Sequence, residues 1–102
     1  MAGNEAGQHT AISQRRSHIE IIAEILRLGE NGAGKTEIMY SANMSYTQIQ
    51  KYLSFLISHG FIDRVDLGGS LVTYQLTDSG MKLLKTINIL TEMLGQTEAE
   101  KL

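Results

Sequence analysis

A chain of 102 residues that is 42% apolar is enough for one domain with a modest core, and its net charge of −2 excludes a strongly basic coat for nucleic acid. With no cysteine there is neither a disulfide framework nor a thiolate metal site. No apolar run approaches the roughly 20 residues of a membrane span, and the polar N-terminus lacks a signal-like hydrophobic region. A cytoplasmic protein is expected. The acidic balance is concentrated at the ends: Glu5, Glu98 and Glu100 lie in the terminal segments with one base, Lys101. The 9 bases and 11 acids of the whole chain therefore become equal in number between residues 10 and 97.

Residues 1–12 are mostly small and polar without an apolar period, and a flexible arm is expected there. Arg15 and Arg16 precede Ser17, which with Glu20 makes a capping box that opens a first helix. Ile19, Ile22, Ala23 and Leu26 follow the i, i+3, i+4, i+7 rule, widened by Ile25 and Leu28, and the helix should end near Gly29. Gly29 to Thr36, GENGAGKT, matches the phosphate-loop pattern in full. That motif works between a buried strand and a helix. Here the preceding segment has helical period, and no apolar run ends in an Asp that would hold magnesium. The chain is also too short for the usual parallel sheet. A Gly-rich turn between helices is expected, with no nucleotide or other cofactor.

A second helix is predicted over Lys35 to Ala42, with Ile38, Met39 and Ala42 inward and Asn43 as a left-handed stop. Ser45 and Gln48 form another capping box, with Met44 and Ile49 as its hydrophobic staple. Gly60 closes this third helix, and Phe61 folds back onto Leu56. Ile49, Tyr52, Leu53 and Leu56 share an inner face; Thr47, Gln50, Lys51, Ser54 and Ser58 lie outside, and no carboxylate occurs from Ser45 to Gly60. FIDRVDL and SLVTYQL then flank Gly68-Gly69 as a hairpin. Thr77 can cap a last helix from Asp78 to about Leu94, in which Leu83, Ile87, Leu90 and Leu94 repeat at 4-3-4 spacing, a short coiled-coil seam. Three helices and a hairpin make a mainly α, α+β chain of winged helix-turn-helix order. The expected division is an arm at 1–12, the winged domain at 13–77, a C-terminal dimerisation helix at 78–95 and a frayed tail at 96–102.

The runs RRSHIEIIAEIL, GAGKTEIMYSANMSYTQIQKYLSFLISHGFI and YQLTDSG, followed by an apolar helix, resemble small archaeal winged-helix DNA-binding proteins. These include the crenarchaeal ten-kilodalton chromatin-type dimers and related predicted transcription regulators. The resemblance spans residues 15–94 and is most specific in KTEIMYSANMSY followed by KYLSFL. It implies a winged helix, dimerisation through the C-terminal helix and binding to double-stranded DNA. It also implies that a Gly/Ala-Lys-Thr turn here has no nucleotide chemistry. Compared with the chromatin-type members, the apolar C-terminal helix is short and the wing is poor in bases.

On this reading the third helix enters the major groove, and Thr47, Gln48, Gln50 and Lys51 are candidate DNA contacts: Gln amides can pair with adenine, and Lys can meet phosphate or guanine. The plain alternative is a solvated face with Gln48 used only in its cap. The Tyr46 hydroxyl can reach phosphate or pack against the second helix. Lys35 can meet phosphate from the start of the second helix. Arg64 in the wing can do the same, in competition with Asp63 and Asp66. Arg15 and Arg16 can follow the DNA backbone or simply be solvated at a helix start. Leu83, Ile87, Leu90 and Leu94 form the dimer seam, with completion of the monomer core as the alternative for the last three. His9, His18 and His59 are scattered without metal-ligand spacing, and no catalytic arrangement stands out. The expected function is sequence-specific DNA binding by a homodimeric regulator associated with the nucleoid. The alternatives are a weakly specific architectural protein and a winged helix used as a protein-interaction module.

Overall fold

Helix α1 (His18–Gly29) begins at its capping box: Ser17 Oγ accepts from Glu20 N–H at 3.1 Å, and Glu20 Oε1 accepts from Ser17 N–H at 2.8 Å. The computed structural model describes residues 17–101, the side chains only as far as residue 95. The expected arm at 1–12, Arg15 and Arg16 lie outside the described residues. In α1 the buried side is formed by Ile21, Ala23, Ile25 and Leu26, whereas Ile19 is 48% exposed and Ile22 and Leu28 are half-buried. The stripe expected from Ile19 and Ile22 is therefore rotated towards Ile21 and Ile25. A helix rich in apolar residues around its circumference satisfies helical spacing on more than one line, and the neighbours choose among them.

Helices α2 (Lys35–Ala42) and α3 (Tyr46–Ser58) have the expected bounds, and both end in the same hydrogen-bonded motif. At the first end Asn43 is left-handed (φ 56°, ψ 52°), its N–H reaches Tyr40 O at 3.2 Å and Met44 N–H reaches Met39 O at 3.1 Å. At the second, Gly60 has φ 77°, its N–H reaches Ile57 O at 3.0 Å and Phe61 N–H reaches Leu56 O at 2.9 Å. The chain thus turns sharply twice, and the turn between α2 and α3 aims α3.

Strands β1 (Ile62–Gly68) and β2 (Leu71–Leu76) pair antiparallel from Ile62 opposite Leu76 to Gly68 opposite Leu71. The ladder passes from Asp66 to Gly68 and leaves Leu67 as a bulge, so Gly68 ends β1 and the turn falls on Gly69-Ser70, one residue later than expected. A third edge was not foreseen. Ala33 N–H donates to Tyr74 O at 3.1 Å and Tyr74 N–H donates to Ala33 O at 2.8 Å, which stitches the loop before α2 onto the hairpin. A single bridging residue leaves no period in the sequence.

Helix α4 (Asp78–Lys101) starts at Thr77, whose hydroxyl donates to Gly60 O at 2.6 Å and accepts from Gly80 N–H at 2.9 Å. The backbone stays helical past the expected end near Leu94 and through the segment expected to fray. Gly95 lowers helix propensity by only about 1 kcal/mol, and the Gln, Glu, Ala and Lys that follow are good helix formers. Seven side chains are fully buried (Ile25, Leu26, Ile38, Ile49, Leu53, Leu56 and Ile62), joined by Tyr74, Leu84 and Ile87; no buried polar or charged residue occurs among the described residues. None of the described helices is long and apolar enough to cross a membrane.

The closest approach in this framework is at Gly80, where an added Cβ would lie 2.1 Å from Phe61 O. A backbone carbonyl cannot be displaced cheaply, so Gly80→Ala should destabilise the fold by about 3 kcal/mol. At Gly60 nothing lies within 4 Å and only its φ of 77° opposes a side chain, so Gly60→Ala should cost roughly 1 kcal/mol. Urea unfolding of the two variants checks this ranking; equal losses would contradict it.

Candidate nucleic-acid interface

Lys35 is the first residue of α2, and its backbone is held by the Ala33–Tyr74 bridge two residues earlier. Its side chain crosses to α3. Lys35 Nζ donates to Gln50 Oε1 at 2.6 Å and to the Tyr46 hydroxyl at 3.5 Å, and lies 4.8 Å from the centre of the Tyr46 ring. Tyr46 and Gln50 are four residues apart on one face of α3, so one ammonium group spans both. Gln50 Nε2 in turn donates to Ser54 Oγ at 3.4 Å. The ammonium's acceptors here are neutral, so they hold its positive charge in place without cancelling it. Tyr46 stays 56% exposed.

Gln48 sits in the cap: its Oε1 accepts from Ser45 N–H at 3.1 Å, and Gln48 N–H donates to Ser45 Oγ at 3.2 Å. Gln48 thus makes the expected cap contact, and its side chain remains exposed. Thr47 and Lys51 are exposed on α3. Arg64 lies on the hairpin and outside this cluster, exposed and opposite Tyr74 in the ladder. Strand alternation places Arg64 and Asp66 on one face and Asp63 on the other, and the Asp66 carboxylate accepts from Gly68 N–H at 3.4 Å. The cluster of Lys35, Tyr46 and Gln50 was not visible as a unit in the sequence, because contacts 11 and 15 residues apart have no local signal.

On the other side of α3 an open groove of about 660 Å³ runs between α1 and α3, lined mainly by Ile21, Ile22, Met44 and Phe55, with Lys51 and Tyr52 at its polar edge. His18 Nδ1 and the Tyr52 hydroxyl share a hydrogen bond across it. On α4, Ile87 is 8% exposed and belongs to the core, and Leu83 packs half-buried against it. That assigns Ile87 to the protomer interior, the alternative weighed for it, because α4 lies across α1 there. Leu90 is 45% exposed, Leu94 57% and Ile89 59%, so the outward apolar side of α4 begins after Asn88.

Gly29 to Thr36 run from the last residue of α1 into the first turn of α2, with Gly34 as the N-cap. The N–H of Gly32 bonds to Gly29 O and that of Ala33 to Tyr74 O, both at 3.1 Å, while Lys35 is directed to α3. The Gly32 and Ala33 amides thus face the protein's own carbonyls, and no strand precedes the loop as a phosphate loop requires. No group of three His, Cys, Asp or Glu that could hold a metal occurs among the described residues.

A winged helix-turn-helix family model matches residues 15–95. An uncharacterized protein of Methanocaldococcus jannaschii is 38% identical over 82 residues, 79% of this chain and 79% of that protein. Among solved structures, Sso10a-2, a DNA-binding protein from Sulfolobus solfataricus, superposes with a TM-score of 0.76 at 28% identity, over 84% of this chain and 90% of that one. The MepR–DNA complex of Staphylococcus aureus superposes with a TM-score of 0.71 at 18% identity, over 97% of this chain and 74% of that one, a likeness of fold.

The cap that positions the first turn of α3 has a measurable weight. Ser45→Ala removes the acceptor for Gln48 N–H and should lower stability by about 1 kcal/mol. Chemical denaturation gives the value, and a loss below about 0.3 kcal/mol would show that the capping box does not hold this helix start.

Proposed function

The chain belongs to the winged helix-turn-helix family, and from that membership we propose that it binds double-stranded DNA as a homodimer and acts as a transcriptional regulator. One observation carries this reading: the first two turns of α3 have no carboxylate and present Tyr46, Thr47, Gln50 and Lys51 together with the cation of Lys35. Gln50 can offer its amide to adenine, and Lys51, Lys35 and the Tyr46 hydroxyl can reach phosphates on either side. Lys35 orders the Gln50 amide and the Tyr46 ring before DNA arrives, which lowers the entropy lost on binding. Gln48 stays with its cap, and Arg64 adds a phosphate contact from the wing. The similarity to Sso10a-2, described as a DNA-binding protein, supports the partner class.

A second copy completes the site. Ile89, Leu90 and Leu94 form an exposed apolar side of α4, and burial against the same side of a partner is the isologous solution for a symmetric dimer. Two α3 helices would then enter the major groove about one helical turn apart and favour palindromic half-sites. The near-neutral folded part favours such paired contacts over coating of DNA by charge alone.

Titration of labelled DNA at several salt concentrations tests the reading. With roughly 4 phosphate contacts per protomer, log affinity should fall against log salt with a slope near −7 for the dimer. Gln50→Ala should cost about 2 kcal/mol on selected sequences and little on random ones, whereas Lys51→Ala, which removes one contact from each protomer, should weaken both and make the dimer's slope shallower by about 2. Folded protein that binds no DNA at low salt would end this proposal, and equal affinity for random and selected DNA would replace the regulator with an architectural protein. Analytical ultracentrifugation checks the seam. A dimer is expected, and Leu90→Lys with Leu94→Lys should yield a folded monomer with much weaker DNA binding; a variant that stays dimeric would place the interface elsewhere.

A further inference from the structure

The tip of the hairpin reads Leu67-Gly68-Gly69-Ser70-Leu71, with Leu67 55% and Leu71 62% exposed. Leu67 is the bulged residue that the register skips, and bulges re-aim side chains and sharpen the local twist. Gly68 and Gly69 have φ of 106° and 59°, and nothing lies within 4 Å of a Cβ built on either. No Lys or Arg occurs from Val65 to Met81, and the nearby Asp66 carboxylate turns to Gly68 N–H. A tip with no cation is unsuited to phosphate, while two large exposed aliphatic side chains beside bare glycine backbone suit a narrow apolar slot. The tip is also fixed relative to α3, because β2 holds Ala33 and Lys35, two residues on, holds Tyr46 and Gln50.

We propose that Leu67 and Leu71 form an apolar wedge that enters the minor groove beside the site read by α3, partly unstacks one base-pair step and kinks the duplex. This rests on the DNA-binding reading above. Apolar side chains inserted at a base step bend DNA by roughly 20–90° towards the major groove. Pyrimidine–purine steps unstack most easily, so the wedge adds a preference for TA or CA flanking the half-site without a hydrogen bond to any base. The paired glycines let the hairpin backbone come close to the groove where side chains would collide.

The test uses the full chain and an end-labelled duplex of roughly 30 base pairs that contains the selected site, with TA steps at its flanks and 2-aminopurine at one of them. Wild-type protein should raise energy transfer between the duplex ends and raise 2-aminopurine fluorescence. Leu67→Ser with Leu71→Ser should abolish both signals while binding weakens by only about tenfold. Both positions are exposed, and an unchanged thermal melt confirms that the variant folds. A complex with no fluorescence change, or a variant that bends DNA as well as wild type, would overturn the wedge while leaving DNA binding intact. If the variant instead loses only self-association or binding to anionic vesicles, the leucines serve a protein or lipid surface and the wedge is also overturned. Absence of any complex with wild-type protein would sink the DNA reading itself, and the wedge with it.

Discussion

The structure depends on one junction, where the end of α3 meets the start of α4. The Thr77 hydroxyl bridges Gly60 O and Gly80 N–H, Thr77 N–H donates to Phe61 O at 3.2 Å, and Gly80 leaves no room for a side chain against that same carbonyl. Two carbonyls left at the end of one helix and one N–H at the beginning of the next are thus satisfied through a single residue, Thr77. The hairpin between them is a closed excursion whose two ends are tied together. Any rotation of α4 about this point would break the Thr77 bonds or drive Gly80 into Phe61. The angle between α3 and α4 is therefore set by main-chain contacts, which tolerate less change than side-chain packing. In a dimer built on α4 that angle fixes how far apart the two α3 helices stand, and hence the spacing of the half-sites they can reach.

The features legible in the sequence were those with local causes. Ser17 with Glu20, Ser45 with Gln48, Asn43 and Gly60 mark helix ends through bonds that span three to five residues, and the structure has each of them in that role. The features that escaped depend on partners far along the chain. Ile21 replaces Ile19 in the core through the packing of neighbouring elements, which the period of α1 cannot specify. The Ala33–Tyr74 bridge joins residues 41 apart in number and involves one residue of a Gly-rich loop. Within the candidate site, the residues of α3 followed from its polar face, whereas the Lys35 contact that orders two of them followed only from the packing of α2 on α3. His18 and Tyr52, 34 residues apart, meet for the same reason.

Charge is distributed so that a slightly acidic protein can still offer a cationic face. The acids excluded from Ser45–Gly60 lie on α1, at Glu30 and Glu37 around the start of α2, on the hairpin, on α4 and in the terminal segments, and the described core contains no charge. Lys35 shows how a single base is made effective. Its partners are a phenol and an amide, so its position is fixed at little cost to its field, whereas a carboxylate partner would have fixed the position and cancelled the charge. The wing follows the opposite plan, with apolar residues at its tip and Arg64 lower on β1. A protein with few bases gains affinity by placing each one and by using shape and apolar contact elsewhere.

Helix α4 supplies the physical motive for the proposed dimer. Its first half is packed through Leu84 and Ile87, but every described side chain from Asn88 to Gly95 is exposed. This distal half extends a helix already nucleated on the core, and Gly95 lowers its propensity by about 1 kcal/mol. In the proposed dimer, burial of Ile89, Leu90 and Leu94 against a second copy would add to the stability of this half. If the proposed dimer forms, its assembly would make the stability of α4 depend on protein concentration. DNA that engaged both α3 helices of the proposed dimer would favour assembly by the same linkage.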